Sequence, residues 1–316
     1  MTADLDRHPQ VARAVAWVRE HDADTLARQV RISEVPAPPF DEHARADLVT
    51  ELLLEAGLSH LSRDDVGNVI AWFGEPSPTA LVVSAHLDTV FPAGTDVGVT
   101  RDGQTLRGPG IADDARGLAT LLTVAGALQA AGLEPAGSIA FVATVGEEGL
   151  GDLRGVKHLF GAEGVARDAA AFISLDGAGL EKIVTRGLGS RRYRITTRGP
   201  GGHSWMDWGA PNPLHALTEL GSRITGLELA NEPRATLTLA RTGGGTSINA
   251  IPQEAWLEID TRCAETGALD DLEAGIRATA REIEARHKGV EVAIEIVGDR
   301  PAGSTPEDDA LVRAAF

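Results

Sequence analysis

The sequence predicts an α/β fold in which a mainly parallel sheet carries helices on both faces, together with a smaller inserted βαββαβ domain. Three observations support this prediction. Apolar runs of strand length alternate with helical patterns over the first 180 residues, the pattern changes near residue 190, and 316 residues suffice for two domains. An aromatic content of only 4%, with many Ala and Gly residues, agrees with close packing of such layers.

The first 180 residues contain both kinds of hydrophobic pattern. Apolar residues at helical spacing predict three helices, at 8–30, 41–56 and 117–131. Short continuous apolar runs predict four strands, at 68–73, 80–85, 138–145 and 170–175. In a parallel sheet the carboxyl ends of the strands meet at one edge, and functional sites form there. We therefore expect a site where these runs end.

The pattern from residue 190 onwards is that of a second domain. It predicts four strands and two helices in the order βαββαβ, at 192–197, 211–224, 235–241, 255–262, 269–287 and 290–297. This order is the split ferredoxin-like motif. We assign residues 189–298 to this domain, and residues 1–188 and 299–316 to the larger domain.

The last residues predict the start of one more helix. Thr305-Pro306-Glu307-Asp308 combines an N-cap, a proline at the first helical position and an acidic first turn. The helix that follows, 309–316, meets neither a glycine cap nor a returning strand. We expect that the larger domain lacks its C-terminal part here; a frayed terminal helix is the alternative.

Composition excludes several kinds of partner. The 29 Lys and Arg residues against 46 Asp and Glu residues give a net charge of −17, which argues against nucleic acid. No apolar stretch reaches the ~20 residues that span a bilayer, so no membrane partner is expected. The single cysteine, Cys263, excludes an intrachain disulfide and favours a reducing compartment, the cytoplasm.

The most informative feature is a set of four short acidic clusters, three of which end runs that look like buried strands. They read His86-Leu87-Asp88, Ala112-Asp113-Asp114, Gly146-Glu147-Glu148-Gly149 and Leu175-Asp176-Gly177. An unpaired carboxylate is costly to desolvate, so charge at the end of a buried strand needs a reason. A divalent metal supplies one. One imidazole with several carboxylates at a sheet edge indicates a metal-centred hydrolase.

The first two clusters allow a ligand interpretation and an ordinary one. His86 and Asp88 share a face of a strand, so the imidazole can bind a metal while the carboxylate orients it. A lone histidine there would more often be a core residue. Asp113 precedes a helix and could cap it, but capping requires neither the pair with Asp114 nor the neighbouring glycines. We favour Asp113 as a carboxylate that bridges two metal ions.

The last two clusters supply the remaining candidates of the larger domain. Glu147 and Glu148 diverge where a strand ends, so one can bind metal while the other exchanges a proton with metal-bound water. A solvated acidic turn is the alternative. Asp176 alone would be an ordinary turn residue, but as a fourth strand-end carboxylate it is a candidate terminal ligand.

The smaller domain contains candidate substrate-binding residues. His203, on a glycine-rich loop, can hydrogen-bond a developing oxyanion, or it can be a turn histidine without a role. Asn249 and Arg262 are candidate substrate binders, since Arg grips a carboxylate with two parallel hydrogen bonds; a structural salt bridge is the competing use of Arg262. Trp205 and Trp208 are either pocket walls or buried residues.

Taken together, these motifs resemble the M20 family of metallopeptidases. The family includes glutamate carboxypeptidases, tripeptide aminopeptidases, acetylornithine deacetylase and succinyl-diaminopimelate desuccinylase. The resemblance extends over essentially all 316 residues, in matching order and spacing. The stretches that carry it are Ser84 to Val90, Gly108 to Asp114, Glu147 to Gly149, Leu175 to Gly177, Gly201 to Ser204 and Thr246 to Pro252.

The resemblance implies a role for each candidate in the larger domain, and a cis peptide bond after Asp113. It implies two zinc ions per subunit, with cobalt or manganese as alternatives. The implied roles are His86 and Asp176 on one zinc ion, Glu148 on the other, Asp113 bridging them, Glu147 as general base and then general acid, and Asp88 in support of His86.

For the smaller domain the resemblance implies a lid that forms a homodimer. His203 would reach the active site of the partner subunit, where it would also contact substrate. Asn249 and Arg262 would bind the carboxylate end of the substrate. One departure from the family concerns its last zinc-ligating histidine, which lies after the lid, whereas no histidine follows His287 here. We expect the intact gene product to extend further and to carry that residue; an intact mass near 33.1 kDa would contradict this.

Three functions are consistent with these residues. The leading hypothesis is a dinuclear zinc hydrolase that cleaves an amide bond in a short peptide by Glu147-assisted attack of metal-bound water. A deacylase of N-acyl amino acids is the second, since both reactions split an amide beside a carboxylate. A metal-deficient, non-catalytic binding protein is the third, and the missing histidine is its only support. The motifs define neither the side-chain preference nor the native metal.

Overall fold

The computed structural model describes residues 8–177, 179 and 182–315. The chain forms two compact units, Met1–Ile183 with Arg313–Phe316, and Val184–Val312. We call them the first and the second unit. The parts of the sequence assignments that fall on residues 1–7 and on Phe316 lie outside the described residues.

The first unit is built on a five-stranded sheet. The strands of this unit are β1 Ser59–Arg63, β2 Val69–Phe73, β3 Leu81–His86, β4 Thr100–Asp102, β5 Thr105–Arg107, β6 Ile139–Thr144 and β7 Ala171–Ser174; β4 and β5 pair separately. The order in the sheet is β1-β2-β6-β3-β7. Strand β3 is parallel to β6 and to β7, whereas β2 is antiparallel to both β1 and β6. The mainly parallel sheet is thus confirmed.

Helices cover both faces of this sheet, as predicted. They are α1 Pro9–Glu20, α2 Asp22–Ser33, α3 His43–Glu55, α4 Ala115–Ala130 and α5 Arg154–Leu159. Alternate residues of a strand face opposite sides, and the buried residues separate accordingly. Phe141 and Ala143 of β6 join one core with α3 and α4, while Ala140 and Val142 join a second core with Leu159 of α5.

The single helix predicted over 8–30 is wrong: the structure has two helices, α1 and α2, with a break at His21. The His21 ring stacks on the Trp17 ring, with 3.9 Å between the ring centroids. The main-chain carbonyl oxygen of His21 accepts a hydrogen bond from the Thr25 hydroxyl. Asp22 and Asp24 fall in the first turn of α2, where the helix dipole favours acidic residues. Both helices pack against α4, so apolar spacing continues across the break.

The second unit has the ferredoxin-like architecture that the βαββαβ order predicts. Its strands are β8 Arg186–Gly187, β9 Gly189–Arg198, β10 Gly202–His203, β11 Ala235–Gly244, β12 Ala250–Ile251, β13 Glu254–Cys263, β14 Glu291–Arg300 and β15 Gly303–Ser304. Its helices are α6 Pro213–Thr225 and α7 Thr266–Arg286, and α8, Ala310–Ala315, ends the described chain. The antiparallel sheet has the order β11-β13-β9-β14, and α6 and α7 pack against it over one hydrophobic core.

Among the described residues, no helix combines the length and the apolar composition needed to cross a membrane.

The core of the first unit yields a prediction about stability. Leu121 of α4 is fully buried, whereas Leu54 of α3 is 59% exposed. Replacing Leu121 by Ala leaves a cavity and should lower the free energy of unfolding by about 2–5 kcal/mol. Urea denaturation measures the change. The matched control, Leu54→Ala, should cost less than about 0.5 kcal/mol, and equal costs for the two variants would contradict the packing described.

Candidate metal centre

Parallel pairing brings the predicted strand-end residues to one edge of the first unit's sheet. Strand β3 ends at His86, and the neighbouring strands β6 and β7 end just before the Glu147-Glu148 pair and before Asp176. Asp113 reaches the same edge from the loop that precedes α4. Residues far apart in sequence therefore meet because parallel strands end at one edge and the loop before α4 returns to it.

Five side chains at this edge form two overlapping groups that could hold a metal ion. One group is His86, Glu147 and Glu148; the other is His86, Asp113 and Asp176. Within each group the potential ligand atoms all lie within 4.8 Å of one another. One imidazole with several carboxylate oxygens is a donor set that suits zinc, and also cobalt or manganese. The residues present therefore fit the metal that the sequence predicts.

The His86 ring is held by a hydrogen bond at each nitrogen. Its Nδ1 lies 2.9 Å from the main-chain carbonyl oxygen of Asp88, to which it donates, and its Nε2 lies 2.8 Å from Oδ1 of Asp113. Burial opposes a charge on this imidazole, but its contacts with Asp113 and Asp88 outweigh burial and raise its pKa to about 11. The carboxylates around the His86 ring thus favour a positive charge on it.

Asp88 connects the end of β3 to the segment Gly146-Glu147-Glu148-Gly149, which we call the glutamate turn. Its carboxylate is fully buried and accepts hydrogen bonds from the N–H groups of Glu147, at 2.9 Å, and Glu148, at 2.7 Å. Its Oδ1 lies 3.6 Å from Nδ1 of His86. Burial alone would raise the pKa of Asp88, but the contact with His86 and the two N–H donors lower it. The structure therefore places Asp88 as an anchor for the two glutamates as well as a neighbour of His86.

Asp114 is a residue to which the sequence analysis assigned no role. Its carboxylate caps α4 by accepting from the Gly117 N–H at 3.0 Å, and it also accepts from the His86 N–H at 2.9 Å. The peptide bond between Asp113 and Asp114 is cis, as the resemblance implies. Burial raises the pKa of Asp114 to about 8, against the opposing charge of His86. Asp114 caps the helix while Asp113 faces His86, which accounts for the aspartate pair.

The two glutamates are half-buried at the turn after β6. Burial, followed by the charges of Glu147 and Asp113, raises the pKa of Glu148 to about 7. Asp113 shows the opposite effect, because its hydrogen bond with His86 lowers its pKa. Crowded carboxylates of this kind create a negative potential that attracts a cation.

Two of the candidate residues of the second unit lie together. Strand β10 pairs with β12 so that His203 faces Ala250, and the Ser204 N–H donates to the carbonyl oxygen of Asn249 at 3.0 Å. Nδ1 of His203 accepts from the Trp205 N–H at 3.2 Å. The proton of a neutral ring is then on Nε2, which leaves an exposed hydrogen-bond donor.

The remaining candidates of the second unit are Arg262, which lies away from His203 and Asn249, and two exposed tryptophans. Arg262 is near the far end of β13, about 26 Å along the strand from Glu254, and its Nε donates to Asp260 at 2.8 Å. Trp205 and Trp208 are each 85% exposed, so burial is the wrong interpretation of them.

The chain matches two family models: "Peptidase family M28" over residues 68–190 and "Peptidase dimerisation domain" over residues 187–288. It is 30% identical over 268 residues to succinyl-diaminopimelate desuccinylase of Xanthomonas oryzae pv. oryzae, covering 78% of this chain and 70% of that protein. It is 25% identical to the Corynebacterium glutamicum desuccinylase, over 90% of this chain and 76% of the relative.

Solved structures share the fold. A tripeptidase from Staphylococcus aureus matches with a TM-score of 0.72 and 19% identity, over 92% of this chain and 79% of that one. A di-peptidase from Saccharomyces cerevisiae matches with a TM-score of 0.73 and 16% identity, over 99% of this chain and 83% of that one. Fold, site and relatives define a hydrolase that acts on amide bonds. The chain belongs to the M20 family of metallopeptidases.

Gly146, at the start of the glutamate turn, yields a prediction that separates the cost of backbone strain from the effect of a clash with Arg154. Gly146 and Gly132 both have positive φ, 65° and 62°, but a Cβ at Gly146 would lie 2.3 Å from Nη1 of Arg154 while one at Gly132 would meet no atom within 4 Å. Each change to Ala should cost about 1–2 kcal/mol in backbone strain.

Only Gly146→Ala should also displace Glu147 and Glu148, and so weaken zinc binding by roughly 10-fold or more. Competition with a fluorescent chelator measures the affinity. Equal affinities in the Gly146→Ala and Gly132→Ala variants would contradict this account of the turn.

Proposed function

We propose that this protein is a dinuclear zinc-dependent hydrolase that cleaves an amide bond in a short peptide or a related small substrate. The observation that carries the proposal is the pair of ligand groups that share His86 at the carboxyl edge of the sheet. We assign residues 1–188 and 299–316 to catalysis and residues 189–298 to a lid and dimerisation domain. The cytoplasm is the proposed location, in keeping with the single buried cysteine, Cys263.

The ligands would be divided between two metal positions. His86 and Asp176 would hold one ion, Glu148 the other, and Asp113 would bridge them. Bound zinc would supply Lewis acidity and lower the pKa of a bound water molecule. The 2.8 Å contact between Nε2 of His86 and Oδ1 of Asp113 supports this assignment, because two ligand atoms that share one metal ion lie about 3 Å apart.

Glu147 would transfer the proton. Its carboxylate would accept a proton from the attacking water and then deliver it to the nitrogen of the leaving amine. The half-buried position of Glu147 beside the ligands supports this role, and the bond from its N–H to Asp88 holds its backbone in place. Asp88 would thereby orient the proton carrier and the ligand Glu148 together.

The second unit would contribute substrate contacts in a homodimer. The exposed Nε2–H of His203 is a donor suited to an oxyanion developing in the active site of a partner subunit. Asn249 and Arg262 would bind a substrate carboxylate. The match of residues 187–288 to a peptidase dimerisation domain supports this arrangement.

A deacylase of N-acyl amino acids is the second candidate, and the desuccinylases among the relatives favour it. Two of the most similar curated proteins are named succinyl-diaminopimelate desuccinylase, whereas the two structures described above are named as peptidases. A panel of dipeptides, tripeptides and N-succinyl amino acids, compared by kcat/KM, separates the two candidates.

Replacing Glu147 by Ala tests the mechanism. The variant should lose about 10²–10⁴-fold in kcat, because it lacks the carboxylate proposed to carry the proton, while its zinc content stays close to that of the parent chain. Zinc content is measured by atomic emission on the purified chain. Glu163→Ala, at an exposed glutamate of the same unit, should leave both quantities unchanged. Full activity of Glu147→Ala would refute the assignment.

Removal of metal tests the metal requirement. Dialysis against a strong chelator should abolish hydrolysis, and zinc, cobalt or manganese should restore it, because the donor set accepts all three ions. About two zinc ions per chain would support the dinuclear site. A chain that takes up no metal and hydrolyses nothing would instead support a non-catalytic binding protein.

A further inference from the structure

We propose that Glu42 and Arg45, at the start of α3, are positioning residues that hold the two ligand-bearing turns of the metal centre. Arg45 holds the end of β3, between His86 and Asp88, and Glu42 acts on the Glu147-Glu148 turn through Arg154. This inference rests on the proposed function, since it concerns the same site.

Arg45 is a fully buried guanidinium that binds main-chain carbonyl oxygens. Its Nη1 donates to Leu87 at 2.8 Å, its Nε donates to Val35 at 2.9 Å, and its Nη2 donates to Val35 at 2.6 Å and to Ser33 at 3.4 Å. Leu87 lies between His86 and Asp88. The planar fork of Arg45 therefore fixes the peptide that connects a ligand to its buried carboxylate neighbour.

The charge of Arg45 is suited to this position. Two fully buried carboxylates, Asp88 and Asp114, are near enough to raise its pKa, although burial outweighs them and lowers it to about 10. In the described part of the chain its hydrogen bonds run to backbone oxygens. The positive charge of Arg45 lies near Asp88, the buried carboxylate that accepts from the N–H groups of Glu147 and Glu148.

Glu42 acts on the other turn through an ion pair. Its side chain is 3% exposed, and its two oxygens accept from Nη1 and Nη2 of Arg154 at 2.9 and 2.8 Å. The Arg154 side chain packs over the Phe40 ring, 4.8 Å from its centroid, and lies against Gly146. Gly146 directly precedes Glu147, so the ion pair supports the backbone from which both glutamates extend.

Stability alone does not explain these two buried charges. The packing of α3 comes from apolar residues such as Val49 and Leu53, which are fully buried in the core. A buried ion pair is often no more stabilising than apolar residues of similar volume. What Glu42 and Arg45 add is orientation, because one helix end binds both turns that carry metal ligands.

Conservative variants test the proposal on the whole chain. Arg45→Lys keeps the charge but loses the fork, Glu42→Gln keeps the shape but loses the charge, and Arg154→Lys removes the two-point contact from the partly exposed side. The matched control is Asp47→Asn, which breaks a surface ion pair of the same helix, with Arg63 at 2.7 Å. The zinc dissociation constant is measured by chelator competition, together with the thermal unfolding of the metal-free and zinc-loaded chains.

Zinc should bind about 10–100-fold more weakly to the three variants, as is usual when an outer-shell partner of a metal ligand is lost, and as tightly as before to Asp47→Asn. The rise in melting temperature on adding zinc should shrink in parallel. A merely structural role would lower the melting temperature of the metal-free chain without changing the dissociation constant, and that outcome would overturn the proposal.

Two further outcomes separate this inference from the proposed function. If the unchanged chain binds zinc and hydrolyses amides while all three variants bind zinc equally well, only the positioning proposal fails. If the unchanged chain binds no zinc, the proposed function fails, and the positioning proposal fails with it. Should Arg45→Lys not fold, Arg45 is a folding residue and that part of the proposal fails, while Glu42→Gln and Arg154→Lys decide the part that concerns Glu42.

Discussion

The parallel pairing of β3 with β6 and β7 is the constraint on which the site depends. The register places His86 opposite Thr144 and Ser84 opposite Ser174, so three chain segments leave the sheet at one edge within a few residues of one another. Parallel strands need long connections, and those of this sheet contain α4 and α5. The same connections deliver Asp113 to the edge, so topology and site chemistry have one origin.

Two buried carboxylates hold the loops at this sheet edge in fixed positions by accepting backbone hydrogen bonds. Asp88 accepts two N–H bonds from the glutamate turn, and Asp114 accepts one from His86 and one from α4. A buried carboxylate that accepts several backbone donors acts as a short bridge between loops, which apolar side chains cannot do. In the proposed metal site, His86 and Glu148 would then bind metal ions while Asp88 and Asp114 hold the backbone of their loops.

The strand-end candidates for metal ligation stand out in the sequence because their signal is local: an apolar run stops and charge begins. Asp114, Arg45 and Glu42 could not be assigned in this way, because their partners lie 28, 42 and 112 residues away. A weaker signal was present. Glu42 and Arg45 occupy positions in helical phase with the apolar face of α3 that contains Val49, and a charge there is costly unless it has a partner. The break at His21 does not show in the hydrophobic pattern, because α1 and α2 both pack against α4 and their apolar residues keep helical spacing across it.

The second unit limits how a substrate could be held. His203 and Asn249 share one pair of short strands, while Arg262 lies near the opposite end of β13 and already pairs with Asp260. A short substrate cannot span that strand, so His203 and Arg262 of one chain cannot serve the same small molecule. In the proposed homodimer the two contacts at one active site would therefore come from different subunits. Arg262 would also have to exchange Asp260 for the substrate carboxylate. That exchange favours substrates with a free carboxylate, a property that short peptides and N-acyl amino acids share.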